Sequence, residues 1–465
     1  MIVALIVACA LFMQNLDSTV IATALPAIAA SLRESPLRLN LAITSYMLSL
    51  AVFIPLSGWL ADRYGARTVF RAAILVFVLG SVGCGLSQSL RELIAARIVQ
   101  GVGGAMMTPV GRLVLLRAVP KADFMRATAY VTVPALIGPV IGPPLGGLIV
   151  TYTSWRWIFF INVPVGLLGI ALVWAFVDNS RGEEAGPLDI RGFVLAALAL
   201  AGFMTGFEMA ARGTLPGYLV AALLVGGAIC TALYVVHARR AANPIIDLAL
   251  MRIPTFALST TGGGLFRVGI GAVPFLVPLM LQIGFGLNPV TSGVLTLATA
   301  AGALAMKLTA TPIVRALGFR RVLIVNSIVS GAFIIYYGLF EPTTPQSLIF
   351  IALLAGGFFR SLQFTCLNTL CFADVPPALM SRASTLSAMA QQVCLSLGVA
   401  VGALLLQIVL TIKGQTMLGA GDFMPAFIAV GALTVVSAWL FMPLSPQAGA
   451  EMSGHRPAQP APADD

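Results

Sequence analysis

Charged residues are scarce in this chain of 465 residues: Asp, Glu, Lys and Arg together make up 9% of it, against about 25% in soluble domains. A chain with so few charges cannot cover a surface that faces water, which excludes a soluble protein. There are only two histidines, and neither a Ser, His and Asp set nor a pair of carboxylates marks a catalytic centre. The six cysteines all lie in apolar runs without metal-ligand spacing, so we expect no disulfide, no metal site and no catalytic residue.

Hydrophobic residues instead make up 59% of the chain, and they are gathered into about fourteen long runs. A helix needs roughly 20 apolar residues to cross about 30 Å of hydrocarbon. The sequence therefore predicts an all-α polytopic membrane protein with the lipid bilayer as its main surroundings. The formal net charge is +10, but the basic residues lie mostly at the ends of the runs. They indicate orientation, with both termini cytoplasmic, rather than a nucleic-acid partner.

The loop between the second and third runs has a specific pattern of glycines and charges. It reads Gly-Trp-Leu-Ala-Asp-Arg-Tyr-Gly-Ala-Arg, and its marked positions are Gly58, Asp62, Arg63, Gly65 and Arg67. This pattern resembles the signature of the major facilitator superfamily. The resemblance implies two six-helix bundles, and a gating loop whose charges hold helix ends together on the cytoplasmic side during part of the transport cycle.

Four further motifs narrow the resemblance to one branch of that superfamily. Asp17 lies in a polar stretch near the end of the first run, Arg97 and Gln100 lie in the fourth, and a Ser-Trp-Arg-Trp segment opens the sixth. The fifth run carries a glycine and proline motif at Gly138, Pro139, Gly142, Pro143, Gly146 and Gly147. Together they resemble the drug:proton antiporters with fourteen helices.

That branch implies a multidrug-type efflux antiporter in the cytoplasmic (inner) membrane of a bacterium. Its partners would be a small-molecule substrate and protons, with the proton gradient as energy source and no cofactor. We expect a monomer. In the fifth run, the glycines allow close helix contacts and the prolines bend the helix, and the resemblance implies that this motif marks exporters that work by exchange.

The expected organisation is a major facilitator fold with two inserted helices. The N-terminal six-helix bundle would span residues 1–177, and a linker with two accessory helices would span 178–254. The C-terminal bundle would span 255–445. The remainder, 446–465, is rich in proline and alanine, and we expect it to be a disordered cytoplasmic tail.

Ionisable residues inside the runs are the candidates for the mechanism, because a charge in the bilayer is costly unless it meets a partner or water. Asp17, Arg97, Arg267 and Arg360 lie one each in the four spans that the resemblance places around the central cavity. Helix geometry puts Asp17 and Arg97 at nearly the same depth. We expect them to pair and to carry the coupling proton, although a static structural pair is the alternative.

The sequence is compatible with either an anionic or a cationic substrate. Arg267 and Arg360 suit carboxylate or phosphate groups, which a guanidinium binds in two-pronged fashion. An organic anion, such as a carboxylate or its metal chelate, therefore competes with a lipophilic cation. Lys307 belongs to the same candidate cavity but lies near the predicted inner end of its span, where it would extend to the surface. Glu208 would form a structural pair with Arg212. A channel or a membrane enzyme is less favoured, since neither a filter nor a nucleophile is seen.

Overall fold

The computed structural model describes residues 2–34, 36–120, 123–178, 186–212, 215–415 and 418–453. All regular structure in these residues is helical, which confirms the predicted all-α fold. The α-helices in chain order are α1 Ile2–Leu32, α2 Pro36–Phe53, α3 Leu56–Tyr64, α4 Ala66–Leu86, α5 Leu90–Ala118, α6 Phe124–Tyr152, α7 Trp157–Phe160, α8 Asn162–Phe176, α9 Ile190–Arg212, α10 Gly217–Ala238, α11 Pro254–Gly271, α12 Val273–Leu279, α13 Pro289–Tyr337, α14 Gln346–Leu370, α15 Met380–Lys413, α16 Phe423–Leu440 and α17 Ala450–Ser453.

Eleven helices in the described residues are long and apolar enough to cross a membrane, or up to twelve if the bent pair α2 and α3 is one span. This count does not confirm the predicted fourteen. Part of the difference lies in α13, whose 49 residues run through Gly318 at a non-helical φ of 74°. The sequence places two separate spans on either side of this glycine. The bent pair is broken by 57° next to Pro55, which cannot continue the hydrogen bonds of α2.

Glycines set the distance between packed helices in several places. At Gly103 in α5, an added Cβ would lie 2.7 Å from the carbonyl oxygen of Ala73 in α4. At Gly331 in α13, it would lie 2.7 Å from the carbonyl oxygen of Gly431 in α16. In a membrane such close backbone contact is a main source of helix association, because lipid and apolar side chains are alike in polarity.

The chain forms two compact units. The first unit contains Met1–Pro120, Ala127–Ala249 and Pro376–Leu397, and the second contains Lys121–Arg126, Leu250–Val375 and Gly398–Asp465. The accessory helices α9 and α10 belong to the first unit, where the rings of Phe193 and Phe53 lie 6.1 Å apart. Helix α15 is divided between the units. The predicted boundaries at residues 177, 254 and 445 stay a prediction.

The structure differs from the expected disorder at the start of the tail. Residues 446–449 form turns that lead into α17, and Met452 is buried. Gly449 has a φ of 69°, and an added Cβ would lie 2.8 Å from the ring of Phe319. One methionine and one close glycine contact therefore anchor a segment whose proline and alanine content alone indicated disorder. Residues 454–465 lie outside the described part of the chain.

Candidate functional site

A buried polar network surrounds Asp17 in the first unit. Arg97 Nη1 donates to Asp17 Oδ2 at 2.6 Å, Gln100 Nε2 donates to Oδ1 at 2.9 Å, and Asn162 Nδ2 donates to Oδ1 at 3.2 Å. Asp17 is 3% exposed and Arg97 is fully buried. Helices α1, α5 and α8 thus bring a carboxyl group, a guanidinium and two amides together. The structure places Asp17 and Arg97 in contact, as their estimated depths predicted, while their role in coupling stays a prediction.

Arg97 is held by more than the carboxylate. Gln100 lies one turn further along α5, on the same face, and its Oε1 accepts from Arg97 Nη1 at 2.7 Å. The Nε atom of Arg97 donates to the carbonyl oxygen of Ala42 in α2 at 3.4 Å. The guanidinium carbon also lies 4.4 Å from the centre of the Tyr46 ring, within the range of a cation–π interaction. Two residues of α2, Ala42 and Tyr46, therefore hold the guanidinium through contacts that do not involve Asp17.

Asn162 is oriented by a second set of hydrogen bonds. Its Nδ2 also donates to Ser81 Oγ at 2.9 Å, and Ser81 Oγ donates to the carbonyl oxygen of Phe159 at 2.9 Å. Asn162 begins α8 directly after the break that ends α7. The sequence reasoning did not assign Asn162, Ser81 or Tyr46 to the site. The available signal was the position of Asn162 in the motif that opens the sixth span.

The gating loop contacts two other elements of the first unit. Arg117 Nη2 donates to Asp62 Oδ1 at 3.2 Å, and the hydroxyl of Ser381 donates to Asp62 Oδ2. An added Cβ at Gly58 would lie 2.7 Å from Thr385 Oγ1. The small size of Gly58 thus allows α3 to lie against the first turns of α15. Asp62 meets a basic residue, as expected, whereas its gating role stays a prediction.

The other marked positions of the loop have different surroundings. Gly65 connects α3 to α4 with a φ of 92°, a conformation that side chains other than glycine rarely adopt. Arg67 Nη1 donates weakly to the carbonyl oxygen of Val177 at 3.4 Å. Arg63 is exposed. The loop geometry thus rests mainly on the glycines and Asp62.

The glycine and proline motif lies on α6, and part of it faces α1. An added Cβ at Gly138 would lie 3.1 Å from the carbonyl oxygen of Phe12, and one at Gly142 would overlap the hydroxyl of Thr19. Gly146 is buried, whereas a Cβ at Gly147 would meet nothing within 4 Å. The side chains of Pro139 and Pro143 lie outside the described residues. Two of the glycines therefore have a packing reason, and both concern the helix that carries Asp17.

The two arginines of the second unit have different surroundings. Arg267 in α11 is 3% exposed, and its Nη2 donates to Asn368 Oδ1 at 3.2 Å, with the Phe364 ring 5.7 Å away. Arg360 in α14 is partly buried and lines a small cavity with Tyr337. A substrate group held between both arginines stays a prediction.

Lys307 does not extend to the surface, so that interpretation is wrong. Its side chain is buried, with the residue 7% exposed, and Nζ donates to Thr365 Oγ1 at 2.5 Å. The physical reason is the length of α13, which continues to Gly318, about 16 Å beyond Lys307 at 1.5 Å per residue. The Lys307 amine therefore lies too far from the kink at Gly318 to extend to the surface there. The side chains of Glu208 and Arg212 lie outside the described residues.

Cysteines and acidic residues do not gather into a centre in the part of the chain that the structure describes. All six cysteines are free thiols. No group of three or more His, Cys, Asp or Glu side chains in those residues could hold a metal ion. The chemistry of the described site is therefore that of a buried acid and its hydrogen-bond donors.

A family model described as Major Facilitator Superfamily matches residues 7–399. The chain belongs to this superfamily, and it is a multi-pass membrane transporter and not an enzyme. It is similar to the "Putative multidrug resistance protein MdtD" of Pectobacterium carotovorum subsp. carotovorum, with 41% identity over 401 residues that cover 86% of each protein. The protein of the same name from Salmonella typhimurium is 40% identical over 86% of this chain and 85% of its own. These relatives confirm the predicted resemblance, and the chain is a transporter of the multidrug type.

Solved structures share the fold at low sequence identity. The human organic anion transporter MFSD10 (TETRAN) matches with a TM-score of 0.68 and 12% identity, over 95% of this chain and 99% of that one. The proton:xylose symporter XylE matches with a TM-score of 0.67 and 15% identity, over 97% and 98%. These likenesses confirm the major facilitator fold and say nothing of the substrate.

Proposed function

We propose that the protein is a proton-coupled antiporter that exports small organic compounds by alternating access. It would act as a monomer in the cytoplasmic membrane of a bacterium, with both termini inside and the proton gradient as its energy source. The observation that carries the proposal is Asp17. It is a buried acid in a membrane helix, and it accepts hydrogen bonds from Arg97, Gln100 and Asn162.

The geometry supports reversible protonation of Asp17. Its three donors lie on α5 and α8, whereas Asp17 lies on α1. A shift of α1 against α5 would separate the carboxylate from the guanidinium, and a buried carboxylate without a positive partner takes up a proton. Return of α1 would restore the contact with Arg97 and release the proton. The static alternative, in which the pair only stabilises the bundle, requires no such separation.

The test is transport in proteoliposomes that contain a pH-sensitive dye, with a panel of cationic, neutral and anionic compounds. Asp17→Asn should abolish transport driven by a pH gradient, while counterflow exchange and binding persist. Asp422→Asn is the matched control, because Asp422 is equally buried but pairs with Lys413 outside the network. If the Asp17→Asn variant pumps at the wild-type rate, Asp17 is not the coupling site.

Export of organic anions, such as carboxylates or their metal chelates, is the second candidate. It is favoured by Lys307 and Arg360, for which no ion pair with an acidic residue is found among the described residues. Arg267→Ala and Arg360→Ala should weaken binding of anions far more than of cations. Lysine at either position should restore anion binding only in part, because an ammonium lacks the planar guanidinium that binds a carboxylate through two parallel hydrogen bonds. Equal losses for anions and cations would favour the ordinary drug pump.

A further inference from the structure

Arg360 in the second unit differs from Arg97 in the first unit in what neutralises its charge. Arg97 has a carboxylate at 2.6 Å. No hydrogen bond or ion pair joins Arg360 to any residue that the structure describes, and the neutral phenol of Tyr337 lines the same cavity. A guanidinium among packed membrane helices is costly without a counter-charge. The second unit therefore holds a cation for which the described residues supply no anion.

A cavity lies next to this guanidinium, inside the second unit. Its polar lining consists of Arg360, Ser330, Thr299 and Tyr337, and its other walls are aliphatic side chains and two glycines. No carboxylate lines it. The space holds about one water-sized particle. The cavity thus offers positive charge and hydroxyl groups in a volume too small for an organic molecule.

Ser330 provides a hydroxyl that is free to point into the cavity. The residue is 3% exposed, and its Oγ is buried without a hydrogen-bond partner among the described residues. The other two hydroxyls are engaged, since Thr299 donates to the carbonyl oxygen of Thr296, and Tyr337 donates to that of Ala352. A buried hydroxyl without a partner costs about 1–3 kcal/mol. Because a hydroxyl rotates to suit its partner, Ser330 can donate to an anion beside Arg360.

Two glycines of α14 determine the size of this space. An added Cβ at Gly356 would overlap the hydroxyl of Tyr337, and one at Gly357 would overlap the carbonyl oxygen of Thr299. Both contacts draw α14 against α13 at the level of the cavity. The close approach leaves room for a single atom-sized ion and excludes the carbon skeleton of a carboxylate substrate.

We propose that this cavity binds one halide-sized inorganic anion, which in the cell is chloride. Arg360 supplies the charge and Ser330 supplies a hydroxyl donor, while the remaining walls are aliphatic. The bound ion neutralises the charge of Arg360 on α14, as the carboxylate of Asp17 neutralises the charge of Arg97 on α5. This assignment does not depend on proton coupling or on the exported compound.

Chloride binding is measured on the purified full-length protein in detergent, exchanged into gluconate buffer. We expect saturable binding of radioactive chloride and a rise in the unfolding temperature with chloride concentration, because a ligand of the folded state stabilises it. Arg360→Leu should weaken binding by about ten- to a hundredfold, as expected for a lost hydrogen bond to a charged group. Ser330→Ala, which removes one hydroxyl and is the safer variant for folding, should weaken it severalfold.

Matched controls separate the cavity from general effects. Ser327→Ala removes an equally buried hydroxyl one turn earlier on α13, outside the cavity lining, and Arg320→Leu removes another cation of the second unit. Both should keep the wild-type chloride affinity. Bromide should compete with chloride and benzoate should not.

Three results would overturn the proposal. The first is that the wild type shows no saturable chloride binding. The second is that Ser330→Ala and a folded Arg360→Leu both keep the wild-type chloride affinity. The third is that benzoate competes with chloride as strongly as bromide does. The last result would make the cavity part of an organic-anion site instead.

Discussion

Gly142 lies where α6 packs against α1, four residues from the contact at Gly138 and five from the open position Gly147. An added methyl group at Gly142 would overlap the hydroxyl of Thr19 and lie 3.0 Å from Thr19 Cβ. Carbon atoms in contact prefer about 3.5–4.0 Å, so α6 and α1 would have to separate by roughly 0.5–1 Å. We predict that Gly142→Ala loosens this helix pair.

The magnitude follows from two opposing effects. Overpacking a well-packed interior costs about 1–3 kcal/mol, while replacing a glycine inside a helix by alanine returns about 0.5–1 kcal/mol. Gly147→Ala has the second effect without the first, because nothing lies within 4 Å of its Cβ. The free energies of unfolding of the two variants should therefore differ by about 1–3 kcal/mol, with Gly142→Ala the less stable.

The assay is thermal unfolding in detergent, followed by transport in proteoliposomes under a pH gradient. Gly142→Ala should unfold at the lower temperature and transport more slowly than Gly147→Ala. Both variants replace a glycine of α6 by alanine, so the comparison between them removes the effect of helix propensity. Equal unfolding temperatures would show that α6 and α1 are not closely packed at Gly142, and the reasoning would fail.

Two further substitutions test the gating loop and the network. Asp62→Asn should slow turnover strongly. It should change the free energy of unfolding by less than about 1 kcal/mol, since the pair with Arg117 is partly exposed. Unchanged turnover and unchanged labelling of cysteines introduced at the inner face would contradict the gating role. Asn162→Leu should lower the free energy of unfolding by about 1–3 kcal/mol and alter the pH dependence of transport. If transport keeps its wild-type pH profile, the amide does not tune Asp17.

The charged pair of the site was predictable from the sequence. Asp17 and Arg97 are conspicuous because charges are expensive in apolar spans, and a fixed rise per residue converts their positions into depths. Asn162 and Ser81 gave no comparable signal. Neutral polar side chains occur throughout the spans, and only the packing of α4 against α8 brings these two together.

Other expectations failed where the apolar pattern does not record backbone geometry. Arg315, Arg320 and Arg321 interrupt the apolar run, so the pattern ended the span near residue 312 and put Lys307 too near the surface, although α13 continues to Gly318. Depth along a helix also leaves rotation about its axis undetermined. The sequence therefore did not show that Arg267 and Arg360 have different neighbours, and a substrate group held between them stays a prediction.

The hydrogen bonds of Arg97 to Ala42 and Gln100, and its contact with Tyr46, have a consequence for how a protonation event is transmitted. The contacts with Ala42 and Tyr46 do not involve Asp17, so neutralising the acid leaves the guanidinium held by α2. The element that loses an attraction is α1. This is also the helix that meets the glycines of α6. If Asp17 carries the coupling proton as proposed, the same helix both binds the proton and packs against α6, and a substitution that stiffens α1 away from Asp17 would uncouple proton movement from substrate movement.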